Sequence, residues 1–461
     1  MNRIIIFAAL VIIIATALYL PSNLTGLIAP AQEYACPECN IVLFTIDTVR
    51  ADHVSSYGYF QETTPNMDRL ASQGLLFEEA YIQIPFTPPS HWSIMTGLYP
   101  FHHGMYLPTD TSNIKTLATH LSRQGYVAAA FTSSYMVGQL GSGFTIFDVP
   151  DVEIEKSYRP AGNVSERALS WLDDNINNPF FLWVHYFDAH SPYNPPNRFD
   201  RYNYSLEPRY AGDRYSHVGV DNFRAIRQDL EKYDGEVSYV DSELGRVLNH
   251  LDELGLADNT IVVVVSDHGE NFGEHDFSDF GYEFSGPCLF HDKTLYQEEV
   301  HVPLIIKNPL ASQHQNRMIP QIVESVDLVP TILDTLGFPI PEKLDGTSLK
   351  PLIEGNTSGF DRAFFQLIPK ESGTFAYGLL SPEWKFVRKC LTLDSNGEPQ
   401  VSRLLFSSSD PGEQVNVHDQ NPEEATPLEE ELLTILGTEA TGKIYIDTRT
   451  EEILRLFGYL K

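Results

Sequence analysis

The strongest constraint on the fold is a series of apolar runs separated by segments of helical spacing. Asn40–Asp47 (NIVLFTID) has the pattern of a strand buried on both faces, and it ends in a carboxylate. Val127–Phe131, Phe180–His185, Ile261–Ser266 and Leu304–Ile306 fit further central strands. Between them, Val237, Val240, Leu244, Val247 and Leu251 recur at helical spacing, and Thr64-Pro65-Asn66 opens a helical stretch that Gly74 stops. This alternation predicts an α/β domain with a large doubly wound, mostly parallel sheet. Ligands of such sheets gather beyond the carboxyl ends of the strands, where Asp47 and Asp267 fall.

From about Phe364 the pattern shortens. The pieces FAYGLL, WKFVRKC and VSRLLF, with a turn at Asp394-Ser395-Asn396-Gly397 and a helical stretch from Thr426 to Leu436, predict a small C-terminal antiparallel-sheet subdomain. The expected division is therefore a large domain over 40–360 and a subdomain over 361–461. The 461 residues exceed the roughly 250–300 at which a single core stops growing.

Ahead of these domains, residues 1–31 read as a signal peptide or an N-terminal membrane anchor. The apolar stretch Ile4–Leu20 suits either, and Ala29-Pro30-Ala31 offers a cleavage site. Membrane attachment through residues 4–20 and an extracytoplasmic location are the corresponding expectations. Cys36-Pro37-Glu38-Cys39 has no second CxxC to complete a zinc set and no thioredoxin-like context, which favours a local disulfide. A formal net charge of -31 argues against nucleic acid and anionic membrane faces as partners. An anionic substrate then requires a metal and local cations to reverse the field.

Three segments carry chemistry: Asp47 at a strand end, Thr87 within PFTPPSHWSIMTGLYP before an apparent helix, and Asp267-His268 at the end of VVVVSDHGE. Two carboxylates, an imidazole and a hydroxyl form a plausible divalent-metal set, although each alone reads equally well as a cap or a turn.

Taken in order, NIVLFTIDTVRADHVSSYGY, TPPSHWSIMTGLYPFHHG, HYFDAHSPY, YDGEVSYVDSELG, SDHGENFGEH and HDKTLYQEEVHVPLII resemble the sulfatase family of the alkaline phosphatase superfamily. The resemblance runs from Asn40 to the C-terminus and implies that family's fold, a large doubly wound domain with a small C-terminal sheet. It implies Asp47, Asp267 and His268 as ligands of one divalent metal ion, with Thr87 bridging metal and substrate as the nucleophile. Ser90 and His91 take the positions that support the nucleophile. His190 matches a histidine facing the leaving group, and Lys293 a lysine contacting the transferred group, with His291 as its nearby alternative. His275 and His103 stand as secondary candidates.

The departures from the family pattern are chemical. Thr87 occupies the place of a Cys or Ser that is oxidised to formylglycine; its methyl group blocks an aldehyde, so no formylglycine is expected at Thr87. Thr48 replaces a second carboxylate, and His91 replaces an arginine. His268 replaces an asparagine, which favours manganese or zinc and leaves calcium as the alternative. FTSSY, Phe131 to Tyr135, stands where the family has a lysine and a histidine, and Thr132 and Ser133 are neutral substitutes. The pattern is similar to phosphonate and phosphodiester hydrolases and phosphoglycerol transferases. The expectation is hydrolysis or transfer at a small anionic ester, lipid- or glycan-linked, with phosphate esters favoured over sulfate esters. The alternatives are a sulfatase proper and a catalytically silent binding protein that retains the fold.

Overall fold

The computed structural model describes residues 35–105, 114–151, 158–204, 220–276, 287–310, 315–356, 359–367, 375–393 and 399–437. The apolar runs form the middle of one eight-stranded sheet. Its strands are β1 (Asn40–Ile46), β2 (Leu75–Tyr81), β3 (Val127–Thr132), β4 (Ile146–Asp148), β5 (Phe180–Tyr186), β6 (Thr260–Ser266), β9 (Leu304–Lys307) and β10 (Arg317–Glu324). A separate short hairpin holds β7 (Asn271–Asp276) and β8 (Pro287–Phe290).

The order across the large sheet is β10-β2-β9-β6-β1-β5-β3-β4. β1 lies at the centre, parallel to β5 on one side and to β6 on the other. β3 continues the parallel set beside β5, and β4 beside β3. On the far side β9 runs antiparallel to both β6 and β2, while β10 pairs with β2 in parallel. The sheet is thus mostly parallel, as the sequence predicts, with a reversed strand where Leu304–Ile306 reads only as another central run.

Both faces are covered, which is why these strands read as continuous apolar runs rather than alternating ones. Ile41 and Leu43 of β1 enter one core cluster; Val42, Phe44 and Ile46 enter the other. The second cluster is closed by α4 (Val220–Glu253), which packs with α1 (Pro65–Gln73) and α3 (Ala161–Asp174). The α4 stripe Val237, Val240, Leu244, Val247 and Leu251 is buried there throughout. Each such side chain contributes roughly 1.5–3 kcal/mol by leaving water. The first cluster receives α2 (Thr87–Thr96), through Trp92, Ile94 and Met95, and α5 (Leu328–Thr335).

The C-terminal sheet has four antiparallel strands: β11 (Ala363–Leu367), β12 (Phe375–Leu380), β13 (Trp384–Leu393) and β14 (Pro399–Ser407). β11 is absent from the sequence reading, which begins the subdomain sheet with FAYGLL. Leu428, Leu432 and Leu436 of α6 (Pro422–Leu436) pack on Phe364, Leu379, Phe386 and Leu405. This helix starts at Pro422 instead of Thr426, because a proline is well placed in a first turn, where its missing N–H is not needed. The expected turn at Asp394–Gly397 lies outside the described residues.

Cys36 and Cys39 form the local disulfide, with Cα atoms 5.3 Å apart. Cys36 N donates to Thr335 O (2.9 Å), which fastens the approach to β1 onto α5. Among the described residues no helix is long and apolar enough to cross a membrane; the candidate signal or anchor over residues 1–31 lies outside them.

Candidate active site

β1 and β6 are adjacent and parallel, so their carboxyl ends deliver Asp47 and Asp267 side by side. Asp267 N donates to Ile46 O (3.2 Å), and Asp47 N to Tyr186 O at the end of β5 (2.9 Å). One ligand atom each from Asp47, Asp267 and His268 lie within 4.8 Å of one another, and all three residues are fully buried. The turn after His268 is tight. Gly269 N donates to Glu299 O (2.8 Å), and a Cβ on Gly269 would stand 1.9 Å from Glu298 O. Only glycine passes here.

Thr87 begins α2 and faces this group. Its Oγ1 donates to Asp47 Oδ2 (3.3 Å) and stands 3.1 Å from His268 Nε2. The helix N-terminus places positive backbone potential under that oxygen, which favours an alkoxide. Two residues of the same helix brace it. Ser90 Oγ donates to Asp267 O (2.5 Å), while His91 spans Thr87 O (Nδ1, 2.8 Å) and Thr45 Oγ1 (Nε2, 3.0 Å). His91 also lies 3.4 Å from Asp267 Oδ2. Both therefore tie this helix to the residues at the ends of β1 and β6.

The donor set fits a divalent cation. Asp47 Oδ1 and Asp267 Oδ2 are buried with no hydrogen-bond partner, a costly state for carboxylate oxygens unless an ion or a proton meets them. Asp267 is pushed well above the usual carboxylate range, by burial and then by Asp47. Burial also opposes ionisation of Asp47, but His185, with His190 and His268 nearby, holds it below that range. Burial drives His268 well down, which leaves a neutral ring suited to ligation. It drives His91 down to about 3, with His185 adding to the effect.

Thr48 brings no second carboxylate to this group, and its Oγ1 donates to Ala189 O (2.7 Å). Its φ of 58° is a strained position for a β-branched residue, worth about 1–3 kcal/mol. Its N–H donates to Asp267 Oδ1 (3.2 Å), so the strained turn helps fix the second carboxylate.

His190 and His291 stand beside this group. The His291 ring is 4.3 Å from that of His268 and 5.0 Å from that of His190. His291 Nδ1 meets Glu270 Oε1 (2.9 Å), and Tyr193 OH donates to Glu270 Oε2 (2.8 Å). Burial works against a charged His291 ring, but Glu270 outweighs it and pushes the imidazole up to about 9. Lys293 is turned elsewhere: its Nζ donates to Leu289 O (3.0 Å) and lies 5.3 Å over the Phe290 ring. Of the two cations named for the transferred group, His291 is the one packed against His268.

His275 stacks on Tyr296 at 3.5 Å and faces Glu298, and His103 Nε2 meets Ser93 Oγ (3.1 Å). Both are buried in structural contacts. The FTSSY stretch places Thr132 opposite His185, with Thr132 Oγ1 donating to Ser134 O, while Ser133 Oγ is buried without a partner.

Two residues of this neighbourhood escape sequence reasoning. Glu270, within the quoted SDHGE, anchors His291. His185, at the end of β5, stands 3.9 Å from Asp47 Oδ2 and packs its ring 4.8 Å from His91. Neither ring nitrogen of His185 has a hydrogen-bond partner. The sequence shows only a histidine near the end of an apolar run, and its pairing beside β1 is what brings it to Asp47.

Comparison with known proteins gives concordant results. A family model described as Sulfatase matches residues 39–338. A second, described as N-sulphoglucosamine sulphohydrolase, C-terminal, matches residues 286–437. An arylsulfatase of Clostridium perfringens is 26% identical over an alignment of 392 positions that covers 69% of this chain and 79% of that protein. A structure solved in complex with its substrate D-glucosamine-2-N,6-O-disulfate superposes with a TM-score of 0.70 at 20% identity, over 88% of this chain and 100% of that one. The phosphonate monoester hydrolase of Agrobacterium radiobacter superposes with a TM-score of 0.67 at 20% identity, over 86% of this chain and 95% of that one. At these identities the two structures establish the fold.

Proposed function

The chain belongs to the sulfatase family and is an ester-bond hydrolase, and from that premise we propose that it cleaves phosphate mono- or diesters with Thr87 as the nucleophile. The observation that carries this reading is the position of Thr87 Oγ1 at a helix N-terminus, between Asp47 Oδ2 and His268 Nε2. An unmodified alcohol is competent for phosphoryl transfer, because water or a second alcohol can displace the resulting phosphothreonine. Formylglycine chemistry is closed to a side chain with a methyl on its carbinol carbon.

Asp47, Asp267 and His268 would hold one divalent ion, manganese or zinc in preference to calcium, whose charge offsets that of the ester. Thr87 Oγ1, placed between Asp47 Oδ2 and His268 Nε2, attacks phosphorus as the ester oxygen departs, and the Thr87 proton leaves to solvent. His190 gives a proton to the departing ester oxygen. His291, anchored by Glu270, faces the non-bridging oxygens, with Lys293 as the second cation brought in by substrate. Ser90 and His91 hold the nucleophile helix against Asp267 throughout. The apolar residues 4–20 and the Cys36–Cys39 disulfide support delivery of this domain outside the cytoplasm.

Thr87→Ala assayed with an aryl phosphate, a bis-aryl phosphate and an aryl sulfate tests the reading. Turnover of the phosphate esters is expected to fall about 10³-fold or more. Undiminished turnover of every cleaved ester removes the nucleophile assignment. The arylsulfatase relative favours the second reading, a sulfatase proper; wild-type preference for the aryl sulfate would establish that reading instead.

A further inference from the structure

A cavity of about 420 Å³ lies where the β2–β10 border of the large sheet meets strands β12, β13 and β14. None of the residues around Thr87 lines it. We infer that this cavity is a second binding site, for a neutral saccharide unit of one or two rings.

The size falls within the ~300–1,000 Å³ usual for small-molecule sites. Its walls offer both surfaces that a sugar presents to a protein. Phe360 and Trp384, both only partly buried, supply apolar faces for the C–H side of a pyranose ring. Glu79, Gln321 and Asp410 supply acceptors for the hydroxyl perimeter.

Charge selects among sugars. Lys385, 2% exposed, is held by Glu413 (Nζ to Oε1, 2.9 Å), so the buried cation is already neutralised. Glu79 and Asp410 remain as net negative charge in the lining. Sulfated, phosphorylated or uronic sugars are therefore disfavoured here, in contrast to the ester site. The same neutral ring can arrive free or as a residue of a longer chain, and the cavity contacts are shared by both sources.

The experiment is saturation-transfer NMR and calorimetry on the whole protein with methyl β-D-glucopyranoside, N-acetylglucosamine, lactose and a neutral tetrasaccharide, beside glucuronic acid and glucose 6-sulfate. At least one neutral sugar is expected to bind, more tightly than either acidic one. Binding of the tetrasaccharide alone assigns the site to chain-borne rings, and binding of the simple glycosides assigns it to free ones. Phe360→Ala and Glu79→Gln should each weaken binding at least tenfold, whereas Thr87→Ala should leave it unchanged. Glu79→Gln preserves an acceptor for Tyr81 OH and carries the test if Phe360→Ala folds poorly. The inference is overturned if no neutral sugar binds at 20 mM, if acidic sugars displace the bound neutral sugar as well as a second neutral sugar does, or if both variants bind like wild type.

Discussion

Raising the pH should loosen the seam between the two sheets through one buried carboxyl pair. Glu324, the last residue of β10, accepts hydrogen bonds from Phe364 N in β11 (2.8 Å), Gln83 Nε2 (3.2 Å) and Tyr99 OH (2.9 Å). Asp327 accepts from Glu324 N (2.9 Å) and Thr347 N (2.7 Å). Burial, and then the charge of Asp327, pushes Glu324 from 4.5 up to about 8. Burial likewise pushes Asp327 up to about 7. Because its folded value lies above its unfolded one, Glu324 keeps a proton in the folded state that the unfolded chain gives up. Its stabilisation is complete below about 4.5 and is lost as the pH climbs through about 8. Full ionisation of Glu324 in place costs on the order of 5 kcal/mol. In a chain of this size that corresponds to about 5 °C in melting temperature. Glu324→Gln keeps a neutral acceptor for Phe364 N and cannot ionise. Melting curves from pH 5 to pH 9 should therefore fall several degrees less in the variant than in wild type. Parallel curves would refute the reasoning, since other buried acids contribute equally to both proteins.

Other perturbations have equally definite outcomes. Leu244→Ala empties a fully buried position on α4 and should cost about 2–5 kcal/mol in denaturant unfolding, with little change in m. Gly269→Ala forces a methyl group onto Glu298 O, and should abolish turnover or soluble expression, as an activity assay of any soluble fraction will show. Chelation should lower the melting temperature and stop turnover. Manganese or zinc at a hundred times its Kd should restore about 3 kcal/mol of stability, and His268→Ala should erase that gain.

The site was legible where it depends on strand ends. Asp47 and Asp267 close apolar runs, and the parallel pairing of those runs brings the two carboxylates together. Thr87 was legible from its prolines before a helix, and the α4 stripe from its spacing. His185 was not, because a histidine inside a strand reads as part of the strand until the neighbouring strand is known to end in Asp47. Glu270 was hidden for a related reason: its partner His291 is 21 residues away, across a hairpin. β2 went unread because Glu78 and Glu79 interrupt its apolar pattern, and both are only partly buried near the sheet border. The contrast between Lys293 and His291 depends on side-chain direction, which spacing does not encode.

The reversed direction of β9 has a consequence for how this enzyme can change. A parallel strand in that slot would be entered from the opposite border of the sheet. Because β9 descends from the border where Asp47 and Asp267 end, the chain must first climb over that border. The stretch from Pro287 to Pro303 thereby forms a wall carrying His291, Glu298 and Glu299. That wall is stitched to the floor at Gly269 and Asn271 by Glu299, and it leads without slack into the pairing of Leu304 with Val265. Insertions between Glu299 and Leu304 would shift both the wall and the strand. Natural length variation is therefore not expected between Glu299 and Leu304.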